Sequence, residues 1–353
     1  MAEEIKDVTS QYMSIAETAL NVFEFKQGWV LTNTPALPRA DYEERMTKSI
    51  ITPELVQILR YIYRYTFADR DTIIKQSYLF KKEGSFQNVI IEPNWLKKQL
   101  DKLIHLGLVN RRTFIDEVDF RKLTNSGQDM RINWSSSDKL SCYCLTDRGA
   151  GFFKRQTECT GFIEETLFTT SPVEVIRRLT TNAVTTRVAR NFFGLGEILY
   201  CTPSRFGHTF KREIIYGTMT TSDNRETVIF EPVMQYRDTL IQSEEELAQH
   251  FTARAEFLLS AVSDLKEKNE EMKITLCFIF AAKSEIRLAC DIYAQVLEKT
   301  DELLFTNEPL TRSLLDKPSA PAPFFRATRT PKEDGTYALN IRQTFPDFLK
   351  RPK

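Results

Sequence analysis

Histidine is scarce in this sequence: His105, His208 and His250 are the only three in 353 residues. They lack the spacing of metal ligands, and none lies beside a cysteine pair, so a histidine-based zinc site has nothing to build on. Cysteine is thin as well, with six scattered residues. Only Cys142 and Cys144 are close. Two apart on a strand they share a face, but two thiols need further ligands to hold zinc. The scatter reads as reduced core thiols of an intracellular, cytoplasmic protein. Glycine numbers 12 and forms no phosphate-cradling loop. Gly194-Leu195-Gly196 lacks the remaining glycine of a dinucleotide fingerprint and follows no strand, and no Walker sequence occurs. No run of about 18 apolar residues exists, which argues against a membrane span. Met1-Ala2-Glu3-Glu4 lacks the basic-then-apolar pattern of a secretory signal. These absences lead to expectations of no cofactor, no metal ligands and no membrane.

What is present is an ordinary globular composition, 42% hydrophobic and 27% charged, in a length that suits two domains with tails. Net charge is zero, but it is unevenly spread. From Lys48 to Arg155 there are 19 Lys and Arg against 12 Asp and Glu, a local excess of +7. Acidity collects elsewhere, at Glu244-Glu245-Glu246 and from Glu267 to Glu271. A basic module joined to a neutral or acidic one favours a partner such as DNA.

The basic stretch centres on Pro93 to Val109. Asn94 is the expected N-cap and Gly107 the expected helix stop. Leu96, Leu100, Leu103 and Ile104 recur at helical spacing, with Lys97, Lys98 and Lys102 largely off that stripe. Upstream, Thr52-Pro53 opens a helix carrying Leu55, Ile58, Leu59 and Ile62. A further periodic run starts at Asp69-Arg70-Asp71-Thr72. Downstream, Val109 to Ile115 and Leu140 to Leu145 read as a strand and its return, and Thr146-Asp147-Arg148-Gly149 caps a last short helix. Helix, helix, helix, strand, long loop, strand, helix is the order of a winged helix-turn-helix. The loop from Asp116 to Lys139 is the wing of that arrangement, with Arg121, Lys122 and Arg131 as its cations. Read differently, the lysines are a solvated helix face and the wing is a mobile polar loop.

Four segments follow: an N-terminal helical extension (1–47), the winged-helix domain (48–158), an α/β domain (159–316), and a Pro-rich linker with a basic tail (317–353). Ile5, Val8, Tyr12, Ile15, Ala19, Leu20 and Phe23 keep helical spacing in the first, and such a helix could pair two copies of the chain. From Ser171-Pro172 the pattern is one helix, short strands, a long helix capped by Ser243, the buried-type strand Lys273 to Ala281, a helix and a final strand at Leu303-Leu304-Phe305. The fold class expected is α+β and α/β, a winged helix followed by a mixed-sheet α/β domain.

A leucine-rich helix running into His105-Leu106-Gly107-Leu108-Val109, then Tyr143-Cys144-Leu145-Thr146-Asp147-Arg148-Gly149, resembles the replication-relaxation family of plasmids and conjugative elements. The resemblance covers roughly residues 52–305. It implies that the second domain is similar to the PD-(D/E)xK nucleases, a restriction-endonuclease-like fold in degenerate form. It also implies a mobile element as the setting, with replication or transfer proteins among the partners. Nuclease chemistry needs carboxylates on adjacent strands to hold Mg²⁺, with a lysine to assist. Here Glu231 is followed by Pro232 and Val233, so the Glu-x-Lys pattern is missing, and Lys211 to Gly217 offers no Pro-Asp. Glu197, Glu213 and Glu231 are the carboxylates left to converge.

The function expected is therefore non-catalytic binding of double-stranded DNA. Lys97, Lys98 and Lys102 would meet phosphates, joined by Arg111 and Arg112 on the wing strand. Asn94, Gln99 or a wing arginine (Arg121, Arg131, with Lys122 beside them) would read bases. Two alternatives stay open: a metal-dependent nuclease, and an adaptor whose winged helix meets protein.

Overall fold

The structure, a computed structural model, describes residues 29–33, 44–76, 81–82, 85–86, 92–116, 141–157, 172–191, 195–199, 215–233, 243–280, 283–307, 310–311, 322–333, 335 and 337–349. In chain order its elements are β1 (Trp29–Asn33), α1 (Glu44–Ile50), α2 (Pro53–Tyr65), α3 (Arg70–Gln76), β2 (Lys81–Lys82), β3 (Ser85–Phe86), α4 (Pro93–His105), β4 (Val109–Asp116), β5 (Ser141–Leu145), α5 (Asp147–Thr157) and α6 (Pro172–Arg190). There follow β6 (Leu195–Leu199), β7 (Gly217–Thr221), β8 (Glu226–Pro232), α7 (Glu244–Lys268), β9 (Lys273–Ile279), α8 (Lys283–Ile292), α9 (Ala294–Lys299), β10 (Glu302–Thr306), β11 (Phe324–Pro331) and β12 (Tyr337–Thr344), with a 3-10 turn at Asp347–Leu349. The fold is mixed α and β. Two compact units divide the chain between Asn182 and Ala183, inside α6.

In the unit of residues 25–182 the helices start where local chemistry dictates. Thr52 caps α2, its hydroxyl accepting from Leu55 N at 3.5 Å with Pro53 in the first turn. Asp69 caps α3, its carboxylate accepting from Thr72 N at 2.6 Å. Leu55, Ile58, Leu59, Leu96, Leu100 and Leu103 are buried and form the core beneath a three-stranded sheet of order β1-β4-β5, antiparallel throughout. Strand β1 lies within the stretch expected as an N-terminal helical extension (1–47): Trp29 to Asn33 pairs residue for residue with Asp116 to Arg112. An aromatic and β-branched run between Gly28 and Pro35 is the signal for it. The helix expected before it, from Ile5 to Phe23, lies outside the described residues. So does the loop from 117 to 140, which the sequence reading expects as the wing.

Two hydrogen-bond sets tie this unit together. Thr66 adopts a left-handed φ of 62°, and the carbonyls around it are held by α6: Arg178 Nε donates to Tyr65 O at 3.0 Å, and Asn182 Nδ2 to Phe67 O at 2.7 Å. At the far end of α4, Gly107 takes φ 67° and closes the helix, its N–H donating to Ile104 O while Leu108 N donates to Leu103 O. These are the two bonds of a Schellman stop. Thr146 Oγ1 donates to Gly107 O at 2.7 Å and accepts from Gly149 N at 2.9 Å. An added Cβ on Gly149 would lie 1.9 Å from Leu108 O, so the start of α5 packs backbone to backbone on this turn.

The unit of residues 183–353 is built on a seven-stranded sheet of order β12-β11-β10-β9-β8-β7-β6. Its centre, β8, β9 and β10, is parallel; the two strands on each flank are antiparallel. The parallel centre follows from the crossovers through α7 and through α8 and α9, since parallel neighbours need a long connection. Ser243 caps α7, its hydroxyl accepting from Glu246 N at 3.1 Å. The core holds Ile229, Leu258, Val262, Ile274, Leu276, Phe278 and Phe305, all fully buried. Strands β11 and β12 correct the expectation of a linker and tail after residue 317. The segment extends the sheet as a hairpin, because Phe325 and Ala327 alternate with exposed Arg326 and Thr328 and Gly335 takes φ 76° in the turn.

Helix α6 is buried all round rather than on one face. Arg177, Arg178, Thr181, Asn182, Thr185, Thr186 and Arg187 are as buried as Val175, Ile176, Leu179, Val184 and Val188.

Candidate nucleic-acid interface

Helix α4 has two chemically different sides. At about 100° per residue, Leu96, Leu100 and Leu103 fall within about 60° of one another, while Asn94, Lys98, Lys102 and His105 fall within about 80° on the opposite side. Burial follows that geometry: the three leucines are fully buried, Asn94, Lys97 and Lys98 are exposed, and Gln99, Lys102 and His105 are half-buried. Neither Lys97 nor Lys98 has a hydrogen-bond or ion-pair partner among the described residues. Two uncompensated ammonium groups on a rigid helix are suited to phosphates, which they meet as point charges.

The other expected contacts distribute differently. Asn94 does not cap α4: the helix begins at Pro93 with Glu92 in the cap position and no side-chain cap bond. Proline's fixed φ and missing N–H suit the first helical residue, which moves Asn94 into the first turn, where its amide is exposed. Lys102 is engaged by the fold, its Nζ donating at 3.4 Å to the carbonyl of Ile50 at the end of α1. Ile104 is half-buried rather than part of the buried stripe.

Arg111 and Arg112, adjacent on β4, project to opposite faces of the sheet, because side chains alternate along a strand. Their cross-strand neighbours are Tyr143 and Cys142. Arg111 Nη2 donates to Ser141 Oγ at 3.4 Å. The two guanidinium groups therefore leave the sheet on different faces. Arg121, Lys122 and Arg131 lie outside the described residues.

Two features escape the sequence reading. Trp95 is 36% exposed, one of two large hydrophobic side chains so placed among the described residues. Its position one residue off the leucine stripe is the signal that could have found it. The second is the ribbon of β2 and β3, Lys81↔Phe86 and Lys82↔Ser85, between α3 and α4.

In the other unit the carboxylates expected for a metal are separated or occupied. Arg254 on α7 grips Glu231 in two-point fashion, Nε to Oε1 at 3.0 Å and Nη2 to Oε2 at 2.7 Å, with both side chains buried. Tyr293 OH adds a contact to Oε1 at 3.4 Å. Burial works against the Arg254 charge, but the Glu231 carboxylate outweighs it and holds the guanidinium protonated. Glu197 stands opposite Thr220, and Thr220 opposite Thr227. Glu197 and Glu231 are therefore two strands apart (about 10 Å) and four residues apart along the strand (about 13 Å), too far to share one ion. Glu213 lies outside the described residues. Among the described residues no group of three or more His, Cys, Asp or Glu could hold a metal.

At the opposite strand ends Glu226, Lys273 and Glu302 begin β8, β9 and β10 and form a charged row. Lys273 Nζ lies 3.3 Å from each carboxylate, and Arg326 pairs with Glu302. Burial alone would lower the Lys273 pKa, but Glu226 and Glu302 raise it above the ordinary lysine value. Lys273, Glu302 and Arg326 line a cavity of about 800 Å³ together with Arg329, Tyr337 and Asp347. Its central cations are already paired.

No helix among the described residues is long and apolar enough to cross a membrane. No protein-family model, curated protein or solved structure matches the chain.

Proposed function

We propose that this chain is a non-catalytic DNA-binding protein of a plasmid or other mobile element, with residues 48–158 forming a winged helix-turn-helix that meets duplex DNA through α4. The observation that carries the proposal is the pair of exposed cations Lys97 and Lys98, unpartnered among the described residues, on a helix whose other side is locked into a leucine core. The element order α2, α3, α4, β4, β5, α5 supports the winged-helix assignment, as does β1 closing the small sheet. Asn94 and Gln99, the uncharged polar side chains of α4, are the base-reading candidates.

The order α6, β6, β7, β8, α7, β9, then helices and β10 supports reading residues 159–316 as a restriction-endonuclease-like domain. In this proposal it is a degenerate nuclease retained for contacts with DNA or with replication or transfer proteins. The buried Glu231–Arg254 pair supports loss of catalysis, because the carboxylate that would bind Mg²⁺ is already neutralised. The resemblance of residues 52–305 to the replication-relaxation family stands behind this assignment. The test is a titration of the full chain into duplex DNA with and without Mg²⁺ or Mn²⁺. Salt-dependent binding without cleavage is expected; absence of binding would favour the protein-binding adaptor, and metal-dependent cleavage the nuclease.

A further inference from the structure

We propose that the edge strand β12 is a self-association surface, at which two copies of this chain pair antiparallel about a two-fold axis passing beside Asn340. Strand β12 is the last in the seven-stranded sheet and runs eight residues in unbroken register with β11, from Tyr337↔Pro331 to Thr344↔Phe324. On its other side it has no strand or backbone hydrogen-bond partner among the described residues. A long bare edge is a template for pairing, and protein chains usually blunt it with proline, bulges or inward charges. Tyr337-Ala338-Leu339-Asn340-Ile341-Arg342-Gln343-Thr344 carries no proline, no glycine and one charge.

What selects a second copy as the occupant is the self-complementarity of the strand. Residues directly opposite in an antiparallel pair share a face. With Asn340 opposite itself, Leu339 meets Ile341, Tyr337 meets Gln343, and Arg342 meets Ala338. Tyr337, Leu339 and Ile341 already pack on the edge of the core, so their apolar row would continue across the axis. The charge never meets its own copy, whereas an axis at Arg342 would set arginine against arginine.

The strand's end supplies an independent observation. Phe345, the residue after β12, is 41% exposed, the second of the two exposed large hydrophobic side chains. It stands just past the unpaired edge, so a second copy laid along β12 would run beside it and cover part of that apolar surface.

The test is the mass of the full chain by sedimentation over a dilution series, together with Asn340→Cys under mild oxidation. Cβ atoms directly opposite on paired strands are close enough for a disulfide. Expected are a dimer that dissociates on dilution and an Asn340→Cys chain that cross-links on a non-reducing gel. The wild type, with its native cysteines, and Arg342→Cys, whose opposite residue is Ala338, should both remain uncross-linked. Asn340→Asp should weaken the dimer severalfold without lowering the melting temperature, since the added charges face each other only in the pair. A monomeric wild type, an Asn340→Cys chain that cross-links no more than the controls, or a dimer indifferent to Asn340→Asp would each overturn the proposal.

Discussion

Single residues fix the two places where this fold is least tolerant. Gly149 has no room for a side chain, since a Cβ there would sit 1.9 Å from the carbonyl oxygen of Leu108. Both partners are backbone, so the start of α5 must lift off the turn that ends α4. Gly149→Ala should lower stability by about 1–3 kcal/mol or more, read as a lower melting temperature; an unchanged melting curve would mean the two segments do not touch. Arg254 and Glu231 form the other place. Arg254→Ala leaves a carboxylate that is 2% exposed without its counter-charge, and breaking a buried pair costs about 3–5 kcal/mol. Replacing both together, as Arg254→Met with Glu231→Leu, should recover much of that loss because no lone charge stays buried. A single variant as stable as wild type would show that the pair is open to water.

At the scale of elements, the hairpin of β11 and β12 is part of the sheet rather than an appendage. Phe324 and Phe325 are buried, and β11 pairs along β10. Truncation before Phe324 should expose β10 and Phe305 and yield aggregated or poorly folded protein, seen in circular dichroism and light scattering; a truncated chain that melts like the full one would contradict this. How far such elements were legible depended on local chemistry. The capped helices could be read because Thr52-Pro53, Ser243 and Gly107 announce themselves in the side chain or in the backbone freedom of one residue. The hairpin was obscured by Pro318, Pro321 and Pro323 just before it, which read as a linker although Phe325-x-Ala327 alternates like a strand. Strand β1 was hidden in another way, since its partner is some eighty residues away and a five-residue run carries little periodicity. For α6 the start was legible at Ser171-Pro172, but not its burial, because a helix buried on all sides with arginine and threonine leaves no amphipathic stripe to read. At the candidate interface, the lysine face of α4 followed from spacing. The recruitment of Lys102 by Ile50 O depended on a contact 52 positions away in sequence, which no local pattern encodes.

The molecule as a whole is neutral but divides its charge, placing the excess of cations in the half that carries α4. If its second unit has lost metal chemistry, Mg²⁺ or Mn²⁺ should leave the melting temperature where it is, because a ligand stabilises only by binding the folded state more tightly. A rise in melting temperature that disappears in Glu231→Ala would restore the nuclease alternative. The most direct measurement concerns the exposed lysines. Duplex DNA binding by the wild type and by Lys97→Ala/Lys98→Ala should be compared across a salt series. Each lost phosphate contact reduces the slope of log affinity against log salt by nearly one. The double variant should therefore bind all sequences more weakly and with a slope shallower by up to about two. Unchanged affinity and slope would show that α4 does not face DNA.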